Sequence, residues 1–520
     1  MRSVLTYLVL VLTVAGIHTT VRAQCPARPA DGTVVQDPLN LYSQNGVLSA
    51  AFDMRYSVDQ AGYTHFCYNY KTATGDVEAP TLRVNQGDVL QLSVTDNINL
   101  SNDDKMHHHM GSPSGPVCAE TGAPTLASTN VHFHGMNVSP ACHSDDVLTT
   151  LIQPNSPAFP YKVQIPADEP PGLYWYHPHV HGFTEFQVNG GAAGALIVQG
   201  MENVRPEVAG LMERVFVIRQ QYLVPWVPGP YQLTINYQLA DFPSTQNPII
   251  QMKPGEKQFW RVANATLQDF LYLQLQINGT GEQLQLIALD GYPLSTPRNV
   301  TSILIPPAGR AEFIVTAPQS GQSGVFLTNA YSTGPTGNPD LYQQLAQIQL
   351  TSGNESSARP IQPASKPVEH VKFSDLASQP VTTQRKLYFS EEFGGTNGPI
   401  QFYITVDGQQ QKVFDPDEKP AITTKVGAVE DWTIENRALE THAFHIHQIH
   451  FMMLEVDGKP VPPDMRDTVT IPYWDGVHAY HSVKVRMDFR DPTIAGTFVY
   501  HCHILLHEDL GMMHKIEVKP

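Results

Sequence analysis

The sequence predicts an all-β chain built as three consecutive β-sandwich domains, and three observations carry that expectation. Pro (42 residues) and Gly (37) are plentiful and helical periodicity is scarce, which favours many short strands joined by turns. At 520 residues the chain is too long for one hydrophobic core and about right for three domains. Finally, one short pattern recurs. Pro80 to Gly87 leads into residues 89–96, Pro248 to Gly255 into 257–264, and Pro420 to Gly427 into 429–436. In each copy the Gly follows the Pro by seven positions, and Asp96, Asn264 or Asn436 follows the Gly by nine. Alternating apolar residues around the Gly read as two short strands joined by a turn. The copies begin 168 and then 172 residues apart, which suits three sandwiches of similar size.

Taken in order, residues 1–23 read as a secretory signal. Arg2 supplies the positive end, residues 4–17 the apolar stretch, and Val21 and Ala23 the small residues before a cleavage site at Gln24. The stretch is too short to cross a membrane, and no other apolar run approaches that length. The mature protein is therefore expected to be soluble and exported, secreted or periplasmic. The first domain spans residues 24–200. It carries an insertion with Met106, His107, His108, His109 and Met110, read as a polar loop rather than a site. Cys118 and Cys142 bracket the first histidine motif and are expected to pair in an oxidising compartment, while the pairing of Cys25 and Cys67 stays open. The second domain, residues 201–355, has neither Cys nor a His-x-His motif. Residues 352–370, rich in Ser and Pro, form the connection to a third domain that ends the chain at 520. A formal net charge of −17 argues against nucleic-acid binding. Six Asn-x-Ser/Thr sequons, at Asn99, Asn137, Asn264, Asn278, Asn299 and Asn354, would matter only in a glycosylating host.

The chemistry is concentrated in four histidine motifs. His132 and His134 form one His-x-His pair, His177 and His179 a second, and His445 and His447 a third, just after His442. The fourth is His501-Cys502-His503, followed by His507 and Met512. Two His and one Cys with a weak axial Met form a blue-copper set for electron transfer. In a strand, neighbouring side chains point to opposite faces. If Cys502 faces one copper, His501 and His503 together face away from it, toward a second metal site. The four His-x-His pairs supply eight ligands, enough for three coppers, and His442, Cys502, His507 and Met512 remain for the blue copper.

This arrangement resembles the multicopper oxidases, specifically their three-domain laccase-like branch, over nearly the whole mature chain. The resemblance implies cupredoxin-like Greek-key sandwiches and four copper ions: one type 1, one type 2 and two type 3. By that resemblance His442, Cys502, His507 and Met512 match the type 1 copper, and His132 and His445 the type 2 copper. His134, His177 and His503 match one type 3 copper, and His179, His447 and His501 the other. The copper-free second domain would serve to hold the first and third side by side.

The family's chemistry implies single electrons entering at the type 1 copper and passing through Cys502 and its two flanking histidines to a cluster where O2 becomes water. Met512, in place of the Phe or Leu of high-potential fungal laccases, implies a low-to-moderate potential. Asp145, thirteen residues after His132, matches a carboxylate beside the type 2 copper, with Asp146 as the alternative register; Glu508 matches one near the O2 path. Both would handle protons. The expected donors are phenols and related aromatic compounds. A Cu(I) or Fe(II) oxidase is the alternative, with a docking site near His507, and a copper-binding electron carrier without turnover is the reading from another class.

Overall fold

The computed structural model describes residues 24–60, 62–100, 118, 123–221, 232–240, 246–352, 358–393 and 400–520. The expected signal segment, the insertion at 106–110 and the sequon at Asn354 lie outside them. The fold is all-β, in three tandem cupredoxin-like sandwiches. The first packs a five-stranded sheet ordered Asn40–Tyr42, Thr81–Val84, Gly194–Val198, Gly172–His177, His132–His134 against another five-stranded sheet. The second packs an eight-stranded on a six-stranded sheet, and the third a seven-stranded on a five-stranded sheet. Among the described residues, no helix is long and apolar enough to cross a membrane.

The threefold repeat has a clear structural meaning. Its two strands belong to opposite sheets of one sandwich: Thr81–Val84 lies in one sheet and Val89–Asp96 in the other, and Ile249–Met252 with Lys257–Ala265, and Ile422–Lys425 with Ala428–Asn436, do the same. The turn is thus a corner between sheets rather than a hairpin. Gly87, Gly255 and Gly427 take φ of +76°, +67° and +95°, the left-handed region a side chain resists. The Asp or Asn that closes each repeat ends its strand by turning the chain. Asp96, Asn264 and Asn436 accept the backbone N–H two residues on, from Ile98, Thr266 and Ala438, at 2.8, 3.1 and 2.9 Å. Asn264 is fully buried, its amide donating to three carbonyls, and Asn137 is buried too. Those two sequons cannot carry a glycan in this fold.

Between the corners, inward residues fill one core per sandwich. In the third, Trp432, Phe444, Phe451, Val485 and Tyr500 are all fully buried. Each such side chain contributes about 1.5–3 kcal/mol relative to an exposed one. Two disulfides, Cys25–Cys67 and Cys118–Cys142, close the first sandwich at Cα separations of 5.9 and 5.4 Å.

The sandwiches are joined by buried polar contacts. Arg83 donates to Glu213 at 2.5 Å, Arg261 bonds both Glu213 and Glu312, and Glu312 accepts from Leu173 N–H at 2.8 Å, stitching the first sandwich to the second. Within the second sandwich, where the Phe270 ring packs into the core of the third, Asp340 accepts from Phe270 N–H at 3.0 Å and faces Asp269, which accepts from Gln220 at 2.6 Å. Burial, and then the Asp269 charge, push the Asp340 carboxyl up to about 9. A carboxyl raised on folding stabilises fully below its unfolded value of about 3.9, and that contribution is lost as pH climbs toward the folded value. Thermal stability should therefore fall from about pH 6 to about pH 9, and Asp340→Asn should flatten the fall. Melting curves at the two pH values check this; an equal slope in the variant would refute it.

Candidate metal centre

Strand register decides which way the histidines point. His132–His134 runs antiparallel to Gly172–His177, with His132 opposite His177 and His134 opposite Trp175. The third sandwich repeats the design. His442–Ile446 runs antiparallel to Gly496–Cys502, with His445 opposite His501 and Phe444 opposite Cys502. Directly opposed residues share a face and neighbours alternate. Cys502 therefore lies on the face of Phe444 and His442, and His501 on the other face with His445.

On the Cys502 side, Sγ lies 3.5 Å from His442 Nδ1 and 3.9 Å from His507 Nδ1. His507 is brought in by the short helix Leu505–Asp509, immediately after the strand. Met512 returns beside it: its N–H bonds the His507 carbonyl at 2.8 Å, its own carbonyl accepts from Cys502 N–H at 3.0 Å, and its side chain is fully buried. Burial pushes the Cys502 thiol well up, so a thiolate here needs a cation beside it.

On the other side, histidines of the first and third sandwiches converge. One nitrogen from each of His134, His177 and His503 lies within 4.8 Å of the others, and the same holds for His179, His447 and His501, and for His132, His134 and His445. Across the interface His132 stacks on His447 and His134 on His445, each pair at 3.9 Å. His501 Nε2 lies 3.2 Å from His447 Nε2 and 3.4 Å from His179 Nε2. Ligands held about 2.0–2.1 Å from a metal at tetrahedral angles stand about 3.3 Å apart.

The donor set fits metal ions. His132 Nε2, His177 Nε2, His445 Nε2 and both nitrogens of His134 and His503 are buried with no hydrogen-bond partner, which is costly unless something else takes the lone pair. Burial holds these imidazoles well below their usual range, hence neutral and ready to ligate. Four of the eight histidines have their outer nitrogen held. His132 Nδ1 lies 3.0 Å from Asp145, while His177 Nδ1, His445 Nδ1 and His501 Nδ1 donate to the carbonyls of Pro178, Asp467 and Cys502.

The two carboxylates read from the sequence are both buried here. Asp145 also accepts from Phe133 N–H at 2.8 Å and from Gln448 of the third sandwich at 2.5 Å, and burial raises it to about 7. Asp146 turns away and accepts from Leu148 and Thr149 N–H. Glu508 lies 3.4 Å from His179 Nε2 and 3.2 Å from His501 Nδ1, raised by burial and then by Asp509. A cavity of about 410 Å³ between the first and third sandwiches is lined by His179, His181, Leu148 and Phe414.

Multicopper oxidase family models match residues 125–203, 216–352 and 394–520, together well over half of the chain. The chain belongs to the multicopper oxidase family. It is thus a copper-dependent oxidoreductase. It is similar to a multicopper oxidase of Staphylococcus haemolyticus, at 24% identity over 88% of this chain and 87% of that one, and to a laccase of Bacillus subtilis, at 24% over 75% and 79%. In fold it is similar to a multicopper oxidase of Campylobacter jejuni described as a metallo-oxidase (TM-score 0.67, 23% identity, 95% and 96% coverage). It is likewise similar to a laccase-like oxidase of an Ochrobactrum species active on lignin model compounds (TM-score 0.62, 19%, 92% and 99%).

Sequence reading of this oxidase missed two groups. Glu391 and Glu440 stand at the outer nitrogens of His442 and His507, with Nε2–carboxylate distances of 3.3 and 3.6 Å. Opposite Glu391 across the strand pair is Phe402, which stacks on His507 at 4.0 Å. The second group is Arg310 with Asp467, behind His134 and His445. Glu391, Arg310 and Asp467 have no local signal, since each lies well away in sequence from the histidines it touches; Glu440 sits two residues before His442, but the fold turns it to His507 of the last motif.

Proposed function

We propose that this oxidase takes single electrons from a donor at the His442–Cys502–His507 edge and reduces O2 to water at a three-copper cluster held by the eight histidines between the first and third sandwiches. The observation that carries this reading is the alternation at residues 501–503: the Cys502 side chain faces one donor set while His501 and His503 face the other. Copper, when bound, supplies one-electron redox chemistry at each of the four positions. The chain's residues do the rest. The Cys502 peptide is a covalent bridge one residue long between the two sites. Asp145 and Glu508, both buried against cluster histidines, hold and deliver the protons that O2 reduction consumes. The cavity beside His179 supports entry of O2 and exit of water.

Phenols and related aromatic donors fit the surface around His507. Leu506 precedes His507, and the paired residues Phe393 and Ile400 lie two positions along their strands from Glu391 and Phe402; all three are 41–52% exposed, apolar surface beside a ring already stacked on Phe402. A second reading is oxidation of a metal ion, Cu(I) or Fe(II); Glu391 and Glu440, carboxylates at the outer edge of both histidines, favour the harder Fe(II) over the softer Cu(I). Oxygen consumption with a phenol, Cu(I) and Fe(II) in parallel separates the two. Glu391→Gln with Glu440→Gln should cut metal-ion turnover by at least about tenfold and spare the phenol if metals are the donor. Absence of O2 uptake with all three would sink the oxidase reading in favour of an electron carrier.

Met512→Leu should raise the type 1 potential, because losing a thioether donor destabilises Cu(II) more than Cu(I). Redox titration of the blue band measures it. An unchanged or lower potential would remove Met512 from the axial position and make Met513 the residue to test.

A further inference from the structure

Arg310 stands where the three sandwiches meet. It opens the strand Arg310–Thr316 of the second sandwich and is fully buried. Its guanidinium forks onto Asp467 of the third: Nη1 donates to Oδ1 at 2.7 Å, and Nη2 donates to Oδ2. Its Nε donates to the Leu173 carbonyl of the first sandwich at 3.2 Å, in the strand that carries His177. The fork also passes over the residue that follows His134. A Cβ at Gly135 would collide with Arg310 Nη2 and Asp467 Oδ2, and Gly135 has φ of +85°, so glycine is required there on both counts.

Asp467, equally buried, backs two cluster histidines from opposite sandwiches. Its carbonyl accepts the His445 Nδ1 proton at 2.8 Å, and its carboxylate lies 3.4 Å from His134 Nε2. Those two rings are the pair stacked at 3.9 Å across the interface. A buried carboxylate keeps one orientation only while its charge is matched and its oxygens are bonded. The bidentate guanidinium does both, and Thr468 Oγ1 adds a third bond at 2.9 Å. With Nδ1 committed to Asp467, the His445 ring must present Nε2, the atom without a hydrogen-bond partner, to the cluster.

We infer that Arg310 and Asp467 are positioning residues for the histidine cluster, so that the second sandwich, which lends it no ligand, still sets its geometry. This rests on the proposed cluster. Arg310→Lys keeps the charge but loses the fork, and Asp467→Asn keeps the shape but loses the charge. Glu312→Gln is the control: it weakens another buried junction of the first and second sandwiches, the Leu173–Glu312–Arg261 contact. The readouts are bound copper per chain, the blue band, and the electron paramagnetic resonance of the resting protein. Both test variants should keep the blue band, shift the type 2 hyperfine pattern and bind cluster copper about 10–100-fold more weakly, while Glu312→Gln keeps all three readouts. Unaltered cluster signals with full copper in both test variants would overturn the inference. So would loss of the blue band together with the cluster signals, or the same changes in Glu312→Gln, since the pair would then be general interdomain support. Failure of the underlying reading is distinct: wild-type protein loaded with copper would itself lack the cluster's signature.

Discussion

Cys502→Ser will remove the blue colour and nearly all donor oxidation while leaving most of the remaining copper bound. Only a thiolate ligand gives an intense charge-transfer band, and Cys502 is the one free cysteine, buried between His442 and His507. Serine nearly keeps the size, so the strand Gly496–Cys502 and its pairing with His442–Ile446 should survive. The His501 and His503 side chains, on the opposite face, do not touch the substituted atom, and His501 Nδ1 keeps its bond to the residue 502 carbonyl. The loss of turnover should exceed the ~10–100-fold seen when only an outer partner of a metal ligand is removed, because the variant severs the bridge itself. Visible absorption, copper per chain and O2 uptake together test this. A variant that stays blue would sink the assignment of Cys502.

Asp145→Asn will slow reoxidation by O2 by about 10²-fold or more, the scale of losing a positioned proton donor or acceptor, without loss of copper or colour. The substitution is unusually clean here. Asp145 accepts from Phe133 N–H and Gln448 and lies against His132 Nδ1. An asparagine amide would oppose the Gln448 amide, but Gln448 Oε1 is buried without a partner, so a flip of that side chain restores the bond. Shape and His132 orientation are kept and the exchangeable proton is lost. Stopped-flow reduction of the type 1 centre should run at the wild-type rate, with the defect confined to reoxidation. Normal reoxidation here with a defect in Asp146→Asn would move the role one residue along. Normal rates in both would leave Glu508 or water as the proton route.

The candidate site was legible in the sequence to an unusual degree, for a physical reason. Metal ligands need particular atoms, and strand geometry fixes their spacing at two residues, so the His-x-His pairs and His501-Cys502-His503 announce themselves locally. The corner glycines Gly87, Gly255 and Gly427 announce themselves too, because only glycine takes a left-handed corner without strain. The repeat's Asp96, Asn264 and Asn436 were visible as a spacing, but their task of ending each strand by accepting the N–H two residues on appears only in the fold.

Sequence alone thus determined the fold class, the family and a candidate ligand set, each written in short patterns that local chemistry constrains. Tertiary structure decided what depends on distance between remote segments. It put Asp145 against His132 and turned Asp146 to Thr149, a one-residue difference that no spacing resolves. It paired Cys25 with Cys67. It brought Glu391 and Glu440 to the outer edges of His442 and His507, and carried Arg310 out of the second sandwich to Asp467. Any buried charge must be matched, but the partner that matches it can come from anywhere in the chain, and only the packing of the three sandwiches says from where.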